Sequence, residues 1–193
     1  MDARPESRAL DRARQDIVRS RTARRVIGVA VFTTATALGA KVAVPVPGTP
    51  VPLTLQLVCV VLAGAVLGAR LGAASQALYL GVGMLGAPVF AAGGGLPYLM
   101  GPTGGYLIAF PVAAYVVGSV ARRSRGVGAL TAGLVAGVLT VHAGGAAWLA
   151  IWTGDLRLAL EYGVGPFLLI DAVKIALALL IALRVRPRAL ELF

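Results

Sequence analysis

Charge is what this chain has least of. Only 13% of its 193 residues are Asp, Glu, Lys or Arg, about half the share of a typical soluble domain, too few to clothe a water-facing surface. Acids are the scarcer sign, eight against eighteen Lys and Arg, for a net charge of +10. One cysteine, Cys59, sits in an apolar run; it excludes an intrachain disulfide and suggests no metal site. With His142 as the single histidine, the sequence offers no His- or Cys-based metal or nucleophile–base cluster, which speaks against an enzyme. The only lysines are Lys41 and Lys174, and neither closes a Gly-x-x-x-x-Gly-Lys-[Ser/Thr] loop, so no nucleotide-hydrolysing motif is visible. Active transport by this chain would draw on an ion gradient or on another polypeptide.

What is present is apolar. Hydrophobic residues make up 58% of the chain, glycine contributes 25 residues and the mean hydropathy is +0.85, as in closely packed membrane helices. The expected fold class is all-α: a polytopic membrane bundle of six transmembrane helices at about 26–42, 53–69, 71–86, 104–121, 127–152 and 166–183, near the roughly 17–25 residues a bilayer requires. Eight arginines precede Val26; Arg70, the cluster Arg122, Arg123 and Arg125, and the closing Arg184, Arg186 and Arg188 fall at alternate ends of the apolar runs. Only Lys41 and Arg157 fall at the other ends, and Lys174 lies inside a span. This positive-inside asymmetry sets both termini in the cytoplasm, and a stripe for nucleic acid would not alternate with apolar runs. The chain divides into a basic cytoplasmic tail at 1–25, expected to be retained rather than cleaved, a transmembrane domain at 26–185 and a cytoplasmic tail at 186–193. The basic tail is drawn to anionic lipid or solvated.

The proline-rich segment 45–52, the glycine-rich segment 87–103 and the segment 153–163 then face outside as loops. Irregular backbone near a bilayer is tolerated where it lines a cavity, so a binding site is expected near the outer face. Asp171 and Lys174 lie three residues apart and share a helical face, roughly 8 and 12 Å inside a helix counted from Pro166. Ionisable residues at that depth require partners and an inward orientation; the pair is a ligand contact or a self-neutralising ion pair. The motif Gly101-Pro102-Thr103-Gly104-Gly105-Tyr106 enters the fourth span, where Thr103 is expected to cap the helix and free N–H groups favour a ligand oxygen. Gln56 and Tyr79 are polar groups inside spans, ligand contacts or interhelical glue. His142 reads as structural, since no titratable group lies near it in sequence, and Trp148 and Trp152 as outer-interface markers. Small residues four apart recur at Ala30 and Thr34, Ala35 and Gly39, Gly64, Gly68 and Gly72, and Gly133 and Gly137, faces that let helices approach closely.

Together these segments have a familiar order. Val51-Pro52-Leu53-Thr54-Leu55-Gln56, Tyr79-Leu80-Gly81, Gly86-Ala87-Pro88-Val89-Phe90, the Gly101 to Tyr106 motif and Gly165-Pro166-Phe167 with Asp171-x-x-Lys174 resemble the BioY family, the biotin-binding S-components of energy-coupling-factor transporters in prokaryotic cell membranes. The resemblance implies a six-helix vitamin-capture subunit that is not an enzyme, has no cofactor, and works with a transmembrane coupling subunit and cytoplasmic ATPase subunits. It implies a biotin site formed by the Asp-x-x-Lys pair and the outer loops; complementarity to biotin then has Asp171 accept, Gln56 and Thr103 donate, Lys174 or the helix start at Gly104 hold the carboxylate, and Tyr79, Phe90 and Tyr106 form walls, with the reversed orientation, Lys174 on the ureido carbonyl, using the same residues. It also implies that Ala30, Thr34, Ala35 and Gly39 contact the coupling subunit. The run Gly95-Leu96-Pro97-Tyr98-Leu99-Met100 carries no charge, so no charged ligand contact arises there. A self-contained ion-coupled transporter, using Asp171 and Lys174 as a proton relay, is the alternative.

Overall fold

The structure is a computed structural model that describes residues 20–123 and 126–192. Most of the basic N-terminal tail and Arg125 of the inner basic cluster lie outside the described residues. Helix α1 spans Arg21–Lys41, capped by Ser20, whose hydroxyl accepts from Ala23 N. Two short strands follow, β1 at Ala43–Val44 and β2 at Leu53–Thr54, paired antiparallel with Val44 opposite Leu53. The four prolines between them make an ordered hairpin end, closed by a turn from Thr49 N to Val46 O, with Gly48 at φ 82°.

The expected second span therefore begins as a strand, and helix α2 is only Gln56–Leu67. At 1.5 Å per residue α2 is about 18 Å long, short of a bilayer's hydrocarbon core. It is apolar all round, as expected of a helix enclosed by others: every residue from Gln56 to Leu67 except Cys59 is buried. Helix α3 (Ala69–Met84) follows across Gly68, whose φ of 81° makes the corner. The glycine-rich segment holds a short helix α4 (Leu96–Leu99). Helix α5 (Gly104–Ala121) starts and ends where the sequence predicts, and α6 runs Val127–Thr153. The segment expected to be an outer loop instead folds as helix α7 (Leu156–Gly163), because Asp155 accepts from Arg157 N and Leu158 N at its start. A 3-10 turn at Gly165–Phe167 leads into α8, Leu168–Leu192.

The chain is an all-α membrane-type protein. Among the described residues, Gly104–Ala121, Val127–Thr153 and the run Leu156–Pro187 are long and apolar enough to cross a bilayer. Helix α2 stands at the centre, in contact with α1, α3, α5, α6 and α8. Glycines set the closeness: a β-carbon at Gly64 would overlap the carbonyl of Ala114 in α5, and one at Gly137 would overlap Val117. The Gly64, Gly72, Gly133 and Gly137 faces are thus spent inside the bundle. The tail expected from residue 186 continues α8 as helix. Arg186 is buried there and its guanidinium donates to Ala121 O at the end of α5.

Candidate binding site

The first turns of α2, α5 and α8, the β2 end of the hairpin, the α4 segment and the C-terminal half of α6 converge on one cavity. It has about 570 Å³ of empty space, part of it open at the mouth. The walls include Leu57, Tyr98, Tyr106, Leu107, Phe110, Val141 and Phe167; the polar lining is Thr54, Gln56, Thr103, His142, Asp171 and Lys174. An apolar cleft with a few convergent polar groups is the usual form of a small-molecule site.

Asp171 lies in the first turn of α8, where the helix dipole favours a carboxylate. It is 3% exposed and Lys174 7%. His142 Nε2 is 2.6 Å from Asp171 Oδ2, and an ionised carboxylate only accepts, so Nε2 carries the proton. Lys174 Nζ lies 2.9 Å from Oδ1 as an ion pair, and among the described residues Oδ1 has no aligned hydrogen-bond donor. His142 Nδ1 is likewise buried and without a hydrogen-bonding partner among the described residues. The three side chains thus present an acceptor, an ammonium group and an imidazole nitrogen to the cavity. A ligand carrying donors and acceptors side by side would satisfy them.

Gln56 is held on both ends of its amide: Nε2 donates to Tyr79 Oη at 2.6 Å, and Oε1 accepts from Thr54 Oγ1 at 3.1 Å. Tyr79 Oη in turn donates to Val89 O. Tyr106 Oη donates to Gly163 O at 2.7 Å, tying the wall to the end of α7. Thr103 occupies the position before α5, but its backbone is already helical (φ −88°, ψ −6°) and its side chain makes no cap. The expected capping bond is absent because only an extended residue directs its hydroxyl back at the helix N–H groups.

Of the residues singled out from sequence, Gln56, Thr103, Tyr106, Asp171 and Lys174 line the cavity together. Tyr79 and Phe90, each fully buried, do not line it; they stack edge to face behind Gln56 and support it. Gly104 lies beneath the lining, where a β-carbon would overlap Leu99 O. His142, expected to be structural, belongs to the Asp171 cluster instead. Sequence distance hid it, since 29 residues separate the pair; its being an ionisable residue within an apolar helix was the available signal. Trp148, expected at the interface, is half-buried and donates from Nε1 to Gly101 O, pinning the entry to α5. Trp152 is exposed.

The small-residue face of α1 is divided. Ala30 and Thr34 are exposed, Ala35 is half-buried with its carbonyl accepting from Cys59 Sγ, and Gly39 is buried against the Leu55–Gln56 backbone. Gly39 stands behind the cavity-lining Gln56, buried against its backbone, and its carbonyl accepts from Leu55 N.

Known proteins resemble this chain in sequence and in fold. The protein described as "Probable biotin transporter BioY" from Pyrococcus horikoshii is 42% identical over 165 residues, covering 85% of this chain and 97% of that one. "Biotin transporter BioY" from Thermotoga maritima is 38% identical over 169 residues, covering 87% and 99%. The crystal structure of an S-component for biotin from an ECF-type ABC transporter superposes with a TM-score of 0.79 at 26% identity, covering 84% of this chain and 90% of that one. The sequence pattern of the BioY family matches residues 11–191, and the chain belongs to the BioY family.

Proposed function

We propose that this protein captures biotin for uptake, as the substrate-binding S-component of an energy-coupling-factor transporter in a prokaryotic cell membrane. The observation that carries the reading is the buried cluster of Asp171, Lys174 and His142 at the base of an apolar cavity. Biotin's ureido group sets N–H donors beside a carbonyl acceptor. Asp171 Oδ1 accepts an N–H while Lys174 donates to the carbonyl, so one group fills both. Biotin's carboxylate would be repelled by Asp171 and is directed to the other end of the cavity, toward the Thr103 hydroxyl and the start of α5. Tyr106, Phe110 and Phe167 enclose the ring and chain. Such a capture subunit is not an enzyme and needs no cofactor.

The spans are six, made by α1, α2 with Leu53 to Leu55, α3, α5, α6 and α8, with both termini cytoplasmic. The alternating arginines support this topology. In a Cys59→Ala background, a cysteine at the exposed Arg157 is expected to react with an impermeant thiol reagent in intact cells and one at Arg123 only after lysis; the reverse pattern would invert the topology.

Energy comes from a coupling subunit and a pair of ATPases, and the exposed Ala30 and Thr34 are the docking surface on α1. In proteoliposomes holding the whole complex, biotin uptake is expected to follow ATP and to be indifferent to an ion gradient. Thr34→Trp is expected to cut uptake about tenfold through lost packing at an interhelical contact while leaving biotin affinity unaltered. Uptake by the chain alone on a proton gradient would instead establish the self-contained ion-coupled transporter.

A further inference from the structure

The bundle end remote from the biotin cavity holds a second concavity of different chemistry. Arg25 of α1, Arg70 at the start of α3, and Arg122 and Arg123 at the end of α5 line one concavity open to its surroundings, with Leu67, Ala69, Leu71, Tyr115 and Ser119 completing it. All four arginines are exposed. None of them has a side-chain hydrogen bond or ion pair among the described residues, and the described acidic side chains, Asp155, Glu161 and Asp171, belong to α7 or to the biotin cavity. The positive-inside bias accounts for the sign of this end. It does not account for four arginines from three helices lining one concavity without an acidic partner among the described residues.

The neighbouring surface says what kind of anion. Ile108, Val112 and Tyr115 lie at spacings of four and three along α5, hence on one helical face, and are 48%, 56% and 50% exposed. Ser119 continues the same face to the arginines. The concavity is therefore cationic, with Leu67 and Leu71 in its wall, and the exposed apolar face of α5 leads away from Tyr115 and Ser119 in its lining.

We propose that this groove binds an anionic phospholipid, its phosphate between Arg70 and Arg122 with Arg25 and Arg123 around it, and an acyl chain along Ile108, Val112 and Tyr115. Arginine's planar fork suits phosphate oxygens in a bidentate pair. A free phosphate shares that head chemistry but leaves the apolar stripe unused.

The purified full-length protein, freed of endogenous lipid and offered equal amounts of phosphatidylglycerol and phosphatidylcholine with matched chains, would be read by native mass spectrometry. Each arginine near an anionic headgroup contributes about fivefold, so the four together are expected to favour phosphatidylglycerol over phosphatidylcholine by roughly a hundredfold or more. Arg70→Gln with Arg122→Gln is expected to lower that preference by about twentyfold, the loss of two such contributions. Arg21→Gln with Arg184→Gln, which removes the same charge from the same end outside the cavity, is expected to leave it unaltered. Biotin binding, measured in parallel, reports whether each variant is folded; should the double variant fail that check, single Arg122→Gln at its exposed position is read instead. Equal retention of the two lipids, or an equal loss in the Arg21 and Arg184 control, would overturn the site in favour of diffuse surface charge. Displacement of phosphatidylglycerol by an equal concentration of inorganic phosphate would overturn the lipid assignment.

Discussion

Lys174→Ala is expected to weaken biotin binding by about tenfold to a hundredfold, the equivalent of one desolvated charged hydrogen bond of roughly 1.5–3 kcal/mol. Two effects add in the same direction. The ammonium group no longer donates to the ligand, and Asp171, 3% exposed, loses the cation 2.9 Å from Oδ1. His142 still donates to Oδ2, which limits the cost to the fold. Asp171→Ala removes the ligand's acceptor and leaves Lys174 buried without its counter-charge, so its loss is of the same order. Because each single variant includes the penalty of stranding its partner, Lys174→Ala with Asp171→Ala is expected to be less harmful than the two losses summed. Titration of biotin against the four proteins measures this directly. Unchanged affinity in both folded single variants would make the pair a structural bridge and remove the main support for the site.

Gly104→Ala is expected to destabilise the protein by about 1–3 kcal/mol, the range for overpacking, and to weaken biotin binding about tenfold. Propensity alone argues the opposite, since alanine is favoured over glycine inside a helix by about 1 kcal/mol. The contact decides. A β-carbon on Gly104 would overlap Leu99 O and crowd Trp148 Nε1, and the neighbour it meets is backbone, which cannot rotate away. The α4 segment must move, and with it Tyr98 and Thr103 of the cavity wall. Gly81→Ala in α3 separates the two effects, for nothing lies within 4 Å of its β-carbon. Thermal melts are expected to show loss at Gly104 and no loss at Gly81; equal behaviour would mean that the entry to α5 is more pliant than its contacts imply.

Long-range hydropathy made the bundle legible, because apolar runs separated by arginines and prolines leave few alternatives. Helix α5 matches its expected bounds for that reason: a Pro-Thr-Gly-Gly entry and a double-arginine exit mark both ends. The short elements were hidden by the same averaging. Leu53 and Thr54 count as apolar-span residues, yet they pair with Ala43 and Val44, and a two-residue strand is too short to register in a hydropathy average. Helix α7 looked like a loop because its charges Asp155, Arg157 and Glu161 break the hydropathy, although the Asp155 cap and alternating burial of Ala159 and Gly163 make it a helix.

The site was half legible. Asp171 and Lys174 stand out because charge in an apolar helix requires a reason, and their i, i+3 spacing supplies the pairing without any tertiary knowledge. His142 required knowing that α6 and α8 pack side by side. Tyr79 and Phe90 have the residue types of a ligand wall but are a layer too deep, and sequence does not report depth behind a pocket. Gly39 has the spacing of an interface residue, but whether it faces a partner or Gln56 is set by the rotation of α1 about its own axis.

The most direct measurement is equilibrium binding of labelled biotin to the purified chain without any other subunit, with related vitamins as competitors. Saturable one-to-one binding is expected, displaced by unlabelled biotin, resistant to vitamins that lack a ureido group, and weakened by about tenfold or more in Asp171→Ala. Absence of saturable binding by the folded protein, or equal displacement by vitamins of unrelated chemistry, would contradict biotin capture by this chain.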